Sequence, residues 1–288
     1  MTPLAPISRT FISQRLRLHY VDWGNPEKPP LVLVHGGRDH CRSWDWTALA
    51  LRDDWHIIAL DHRGHGDSEW VSDGNYASAD MVYDVAQLVH QLDLAPVTIV
   101  AHSLGAGVSL RYAGIFPEKV RKLVGIEGLG ASPKQVSAIE ATPLPSRYRK
   151  WIEKKRESAA RLPRKYATVD DALARMQEEN TYLTYEQARH LTNQGVNRNE
   201  DGTFSWKFDP HLHNSAVAVA PKEIYAVWNA ITCPTLLLYG ADSFATNPER
   251  DGRLAHFNTA KVIEFADAGH WLHHDQFDRF VATLRDFL

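Results

Sequence analysis

An apolar run at residues 97–100 passes through Ala101 and His102 into Ser103, and a helical pattern begins at once with Leu104, Gly105, Ala106 and Gly107. Few folds accommodate that order. A strand that turns directly into a helix at a serine strains the serine's backbone, so the residues two before and two after it must be small. Ala101 and Gly105 meet this demand. The turn lifts the hydroxyl above the carboxyl edge of a sheet and aims the following backbone N–H groups into the same space, where they stabilise a developing anion. Ser103 is therefore the candidate nucleophile.

The flanking sequence supplies the sheet. Residues 31–34, 57–60, 97–100 and 123–126 are short continuous apolar runs, as expected of parallel strands covered on both faces. Residues 15–20 alternate polar and apolar, the period of a half-buried strand. Between them, Met81, Val85, Leu88, Val89 and Leu92 recur at helical steps over 78–94. Residues 104–116, stopped by Pro117, and 44–51 repeat that pattern. Strand–helix alternation predicts a doubly wound α/β fold with a mostly parallel sheet.

After Glu127 the texture changes. Residues 128–230 contain no convincing buried strand, are rich in Arg, Lys, Glu and Gln, and show helical patterns at 145–161, 169–180 and 185–193. The sheet pattern resumes at 235–239 and 261–265, and a terminal helix carries Phe277, Phe280, Val281, Leu284 and Phe287. The expected organisation is one core domain, residues 1–127 and 231–288, interrupted by a helical cap at 128–230. With 288 residues, 44% of them apolar, such a core can be filled.

A serine hydroxyl is a weak nucleophile at neutral pH and needs a positioned base. Of fifteen histidines, His270 stands out because Ala268-Gly269-His270-Trp271 follows the last strand pattern and precedes the terminal helix, at the sheet edge that carries Ser103. The base in turn needs a carboxylate on Nδ1 to hold its tautomer. Asp242, after the strand at 235–239, is the first choice, since serine, acid and histidine then occur in the usual chain order for this architecture. Glu127, after the strand at 123–126, ends at the same edge and is the alternative. Adjacent glycines in His35-Gly36-Gly37 let a backbone N–H approach a ligand. The N–H groups of Gly37 and Leu104 form the expected oxyanion hole.

Taken together, His35-Gly36-Gly37, Asp61-His-Arg63-Gly64-His-Gly66-Asp67-Ser68, the serine turn, Gly240–Asp242 and Gly269-His270 resemble the α/β-hydrolase superfamily, in its capped branch, over nearly the whole chain. The segments Gly125–Gly130 and Trp206–Pro210 are similar, more loosely, to its serine hydrolase-like subgroup. Two departures stand out. Ala101 replaces the usual glycine, and Ser243 occupies the position, three after the strand-end glycine, where members often carry the acid. The resemblance implies that the 61–68 loop is an Arg–Asp-braced structural turn.

Composition excludes little else. A formal charge of −3 gives no global field for nucleic acid or an anionic membrane, and no segment is apolar for long enough to span a bilayer. Two cysteines, Cys41 and Cys233, far apart and without a secretory-type leader, suggest a reducing compartment, the cytoplasm by default. No cofactor or metal is expected. His270, His273 and His274 with Asp275 rarely converge on one ion, and the basic, aromatic run at 147–156 reads as a solvated cap helix whose Trp151 and Ile152 could pack on the core. Cys41 and Trp44 suit either pocket or core. The expected activity is hydrolysis of a small or medium carboxylic ester or lactone through an acyl-serine. Carbon–carbon hydrolysis of a diketone and perhydrolysis use the same triad, and a small-molecule receptor with a retained triad is the rival outside catalysis.

Overall fold

The computed structural model describes residues 5–212, 217 and 221–288. Strands β1 (Ile7–Ser13), β2 (Leu16–Asp22), β3 (Pro30–Val34), β4 (His56–Leu60), β5 (Val97–His102) and β6 (Val120–Ile126) are joined in one eight-stranded sheet by two further strands late in the chain. The order is β1-β2-β4-β3-β5-β6 followed by those two, β9 (Thr235–Gly240) and β10 (Ala260–Phe265). From β4 through β10 every neighbouring pair is parallel; β1 and β2 pair antiparallel at one edge.

The apolar runs work as double-sided strands because side chains alternate along them. Leu31 and Leu33 of β3 join one core layer, while Val32 and Val34 join the other. The first layer is covered by α1 (Asp45–Leu51) and the terminal helix, through Ala48, Leu51, Phe280 and Leu284. The second is covered by α2 (Ser78–Gln91) and α3 (Ser103–Ile115), through Val85, Leu88, Val108 and Leu110. Cys41 and Trp44 are buried in the core and do not reach the cavity described below.

The sequence pattern missed β1. Its first four residues are exposed and polar residues interrupt it, so it carries no apolar signal; it is held at the edge by pairing with β2. Between β6 and β9 the described chain adds no strand to the main sheet. It forms α4 (Pro133–Ala141), α5 (Leu144–Ser158), α6 (Val169–Glu179) and α7 (Tyr185–Gly195), then a hairpin of β7 (Val196–Arg198) and β8 (Phe204–Trp206) too short to register as a pattern. The next helix, α8 (Glu223–Asn229), packs through Trp228 and Tyr225 into the core layer of α3. Gly114 permits that approach, since a Cβ there would meet the Val227 carbonyl at 2.1 Å. Helix α5 lies at the surface. Ile152 is 40% exposed and does not pack on the core, and the Lys155 ammonium sits 5.3 Å from the centroid of the Trp151 ring.

The 61–68 loop is a brace. Arg63 forms a two-pronged pair with the buried carboxylate of Asp84 on α2, at 2.6 and 2.7 Å. Asp61 accepts the Cys41 N–H at 2.6 Å and the Asp67 N–H at 3.0 Å, and shares a 2.7 Å hydrogen bond with His19 Nδ1. Burial alone would raise the Asp61 carboxyl, but the hydrogen bond from His19 and the neighbouring histidines hold it well below the usual range. Gly66 closes over it, where a Cβ would collide with the carboxylate at 2.2 Å. The Asp209 N–H donates to the Gly64 carbonyl at 2.9 Å, which staples the Trp206–Pro210 segment to this loop.

Candidate active site

Every parallel strand delivers its carboxyl end to one edge, and the site is assembled there. Strand β5 lies between β3 and β6, so Ser103 leaves the sheet at its centre. Its φ of +50° is left-handed, the strain that a direct strand-to-helix turn imposes on a residue with a Cβ. The small neighbours have physical causes. A Cβ on Gly105 would lie 2.4 Å from the His35 carbonyl, and one on Gly36 would lie 2.6 Å from His102 Nδ1 and 3.2 Å from Ser103 Cβ.

His270, on the loop after β10, places Nε2 2.9 Å from Ser103 Oγ. Its Nδ1 hydrogen-bonds to Oε2 of Glu127. Asp242, the first choice from the sequence, does not fill that role. It is exposed and accepts a 2.9 Å hydrogen bond from the Tyr182 hydroxyl. Strand register explains the substitution. His102 pairs with Ile126, so Glu127 leaves β6 level with Ser103 on the adjacent strand, whereas Asp242 lies beyond the end of β9, one strand further out.

Glu127 is held by its surroundings. Oε1 accepts the Gly240 N–H at 2.7 Å, and Oε2 accepts the Ser243 hydroxyl at 2.6 Å. Ser243 is the residue that departed from the superfamily pattern. In place of a carboxylate, that position supplies a hydroxyl donor to the carboxylate on the next strand. Two further residues had no sequence signal. The buried His102 ring hydrogen-bonds through Nε2 to the His270 carbonyl at 2.9 Å, fixing the loop backbone that carries the base. Burial, then the neighbouring His270, pushes its pKa well below the ordinary histidine value, so it adds no charge beside the base. Phe244, 82% exposed, holds its ring 4.5 Å from that of His270, tilted by 38°.

Gly37 and Leu104, the expected oxyanion donors, are brought together beside Ser103. A Cβ on Gly37 would stand 3.9 Å from Leu104 Cβ, and Leu104 lies in the first turn of α3, whose N–H groups have no intrahelical acceptor. Ser103, Leu104, Glu127 and His270 open on a cavity of about 880 Å³, within the size range of small-molecule sites. Leu129 and Phe244 give it apolar walls, and α4 closes one side with Gln135, Ala138 and Ile139.

The sequence's metal suspects, His270, His273, His274 and Asp275, do not bring three ligand atoms together among the described residues. His273 stacks on Trp44 and His274 packs against Trp46, while His270 faces Ser103. His19, Cys41 and Asp61 do bring ligand-type atoms within 4.8 Å of one another. Their hydrogen bonds are spent on the loop brace, His19 Nε2 bonds Ser8 Oγ at 2.7 Å, and burial pushes the Cys41 thiol well up, the wrong direction for a metal-binding thiolate.

Residues 29–277 match the sequence model of a family described as alpha/beta hydrolase fold. The chain belongs to the α/β-hydrolase family. A serine hydrolase-like protein from Danio rerio is 26% identical over 274 residues, covering 92% of this chain and 83% of that protein. A 3-hydroxybutyrate-oligomer hydrolase from Cupriavidus necator is 28% identical over 272 residues, covering 88% of this chain and 87% of that protein. Among solved structures, the thioesterase domain from the curacin biosynthetic pathway superposes with a TM-score of 0.83 at 20% identity, over 98% of this chain and 100% of that one. That last likeness concerns the fold alone. No helix among the described residues is long and apolar enough to cross a membrane.

Proposed function

We propose that this α/β-hydrolase cleaves a carboxylic ester or lactone through an acyl-serine, with Ser103 as nucleophile, His270 as base and Glu127 as the acid that orients it. The observation that carries the reading is one imidazole bonded on one side to the Ser103 hydroxyl and on the other to a buried carboxylate. Glu127 holds the proton on Nδ1, which leaves Nε2 free to accept the serine proton as Oγ attacks the carbonyl. The N–H groups of Gly37 and Leu104 take the oxyanion, His270 then protonates the leaving alcohol, and the same imidazole activates water for deacylation. The chemistry requires no cofactor. The name of the Cupriavidus necator relative supports an ester-type bond as target.

The segment between β6 and β9 serves as a cap in this reading, because α4 walls the cavity that Ser103 lines. The buried, free thiols of Cys41 and Cys233 suit a reducing compartment such as the cytoplasm. Ser103→Ala should abolish turnover of p-nitrophenyl butyrate while leaving far-ultraviolet circular dichroism and thermal midpoint within a few degrees of the parent. Retained turnover in that variant would falsify the assignment.

A further inference from the structure

Ser103, Gly107 and Arg111 follow one another at four-residue steps on α3, so they share a face, and all three line the cavity. The Arg111 guanidinium folds back along the helix and donates from Nη1 to the Gly107 carbonyl at 2.7 Å. Gly107 leaves room for it, since a Cβ there would stand 3.4 Å from Nη1 and 3.0 Å from the Gly128 carbonyl. The buried arginines, Arg63 and Arg253, are each paired with an aspartate. Arg111 is half-buried, and among the described residues no carboxylate oxygen lies within 4.0 Å of its guanidinium. Its pKa is lowered by burial alone, with no neighbouring charge acting on it.

A guanidinium keeps its charge at any working pH and carries five donors in a planar fork that matches a carboxylate. The bond to Gly107 uses one of them. Among the described residues, the one acid in the cavity wall is Glu127, whose oxygens are taken by His270, Gly240 and Ser243, and no second lysine or arginine lines the cavity. A lone, partly desolvated cation in the wall of a substrate cavity calls for one negative charge from the ligand. One helical turn separates Ser103 from Gly107, a rise of about 6 Å. A carboxylate on Arg111 therefore sits several bonds from a carbonyl held at Ser103.

We propose that the substrate is an anionic ester, bearing one carboxylate four to six bonds from the scissile carbonyl, and that Arg111 is the residue that selects it. This rests on the ester-hydrolase reading above. The test compares three esters with the same six-carbon acyl chain by acid release: monoethyl adipate, with the carboxylate on the acyl side; 4-(hexanoyloxy)butanoate, with it on the alcohol side; and neutral ethyl hexanoate. The native protein should favour one of the carboxylate esters over ethyl hexanoate by tenfold or more in kcat/KM, and which one tells the side of the ester that Arg111 reads. Arg111→Gln should erase that preference, and Arg111→Lys should restore part of it. A native protein that turns over ethyl hexanoate as well as both anions overturns the proposal, whether or not R111Q folds, and so does a preference that survives in R111Q. If none of the three is hydrolysed, the ester reading fails on its own, and adipate then tests the site as a ligand. Millimolar adipate should raise the melting temperature of the native protein and not that of R111Q; an equal shift in both, or none in the native protein, overturns the proposal.

Discussion

Replacing Glu127 by glutamine separates charge and tautomer from shape. The Gly240 N–H fixes an acceptor oxygen at the Oε1 position, because a donor there would face a donor at 2.7 Å. The amide NH₂ is thereby forced to the Oε2 position, where it meets His270 Nδ1. A donor opposite Nδ1 drives the imidazole to the Nε2–H tautomer, which cannot accept the Ser103 proton. The Ser243 hydroxyl also loses its acceptor. Wrong-tautomer substitutions of this kind lower kcat by about 10⁴-fold, equivalent to about 5 kcal/mol of transition-state stabilisation. We expect E127Q to lose 10³- to 10⁴-fold in kcat on a neutral p-nitrophenyl ester, with KM changed by less than roughly threefold. Asp242→Asn is the matched control. Asp242 is exposed and, among the described residues, its carboxylate accepts a hydrogen bond only from the Tyr182 hydroxyl, so kcat should fall by less than about threefold. Steady-state kinetics on both variants decide between the two acids. A D242N that loses more activity than E127Q would make Asp242, and not Glu127, the acid.

Two other predictions concern the scaffold. Gly105→Ala places a Cβ 2.4 Å from the His35 backbone carbonyl, which a side-chain rotation cannot relieve; overpacking of this kind costs about 1–3 kcal/mol, so a differential scan should show a melting temperature several degrees lower. No change would mean that the turn has room to spare. Stability should also fall as the pH drops below 6.5. Burial, before any neighbouring charge, depresses the pKa of His62 and His274 to about 3 and holds His35, His102 and His273 well below the ordinary value, so the unfolded chain takes up protons that the folded chain refuses. Asp39 and Asp275, raised to about 6 chiefly by burial, act in the opposite direction over the same range, but five histidines outweigh two carboxyls. The net uptake of three protons corresponds to a loss of up to about 4 kcal/mol per pH unit at its steepest, and urea midpoints at pH 7.0 and 5.5 measure it. Equal midpoints would contradict the burial argument.

Most of the framework was legible because it depends on short-range pattern. Double-sided apolar runs predicted the parallel strands, and the serine turn announced itself through Ala101, Ser103 and Gly105. The base was legible from its place on a loop after the last strand. The acid was not settled, because two carboxylates end at one sheet edge and only register tells which reaches Nδ1. Chain order favoured Asp242, while the pairing of His102 with Ile126 sets Glu127 level with Ser103. The signal that could have decided it was Ser243, a hydroxyl standing where an acid is usual. Strand β1 and the β7–β8 hairpin were invisible for a different reason: they are exposed or very short, and are held by pairing with partners instead of by burial of an apolar face.

In the proposed reaction the Ser103 hydroxyl itself forms the covalent intermediate. Acid quench of the native protein during turnover of p-nitrophenyl butyrate, followed by peptide mass mapping, tests it most directly. A butyryl group is expected on the peptide containing Ser103, absent from S103A and formed far more slowly in E127Q. A butyryl group on any other side chain, or turnover with no acylated peptide at any quench time, would contradict it.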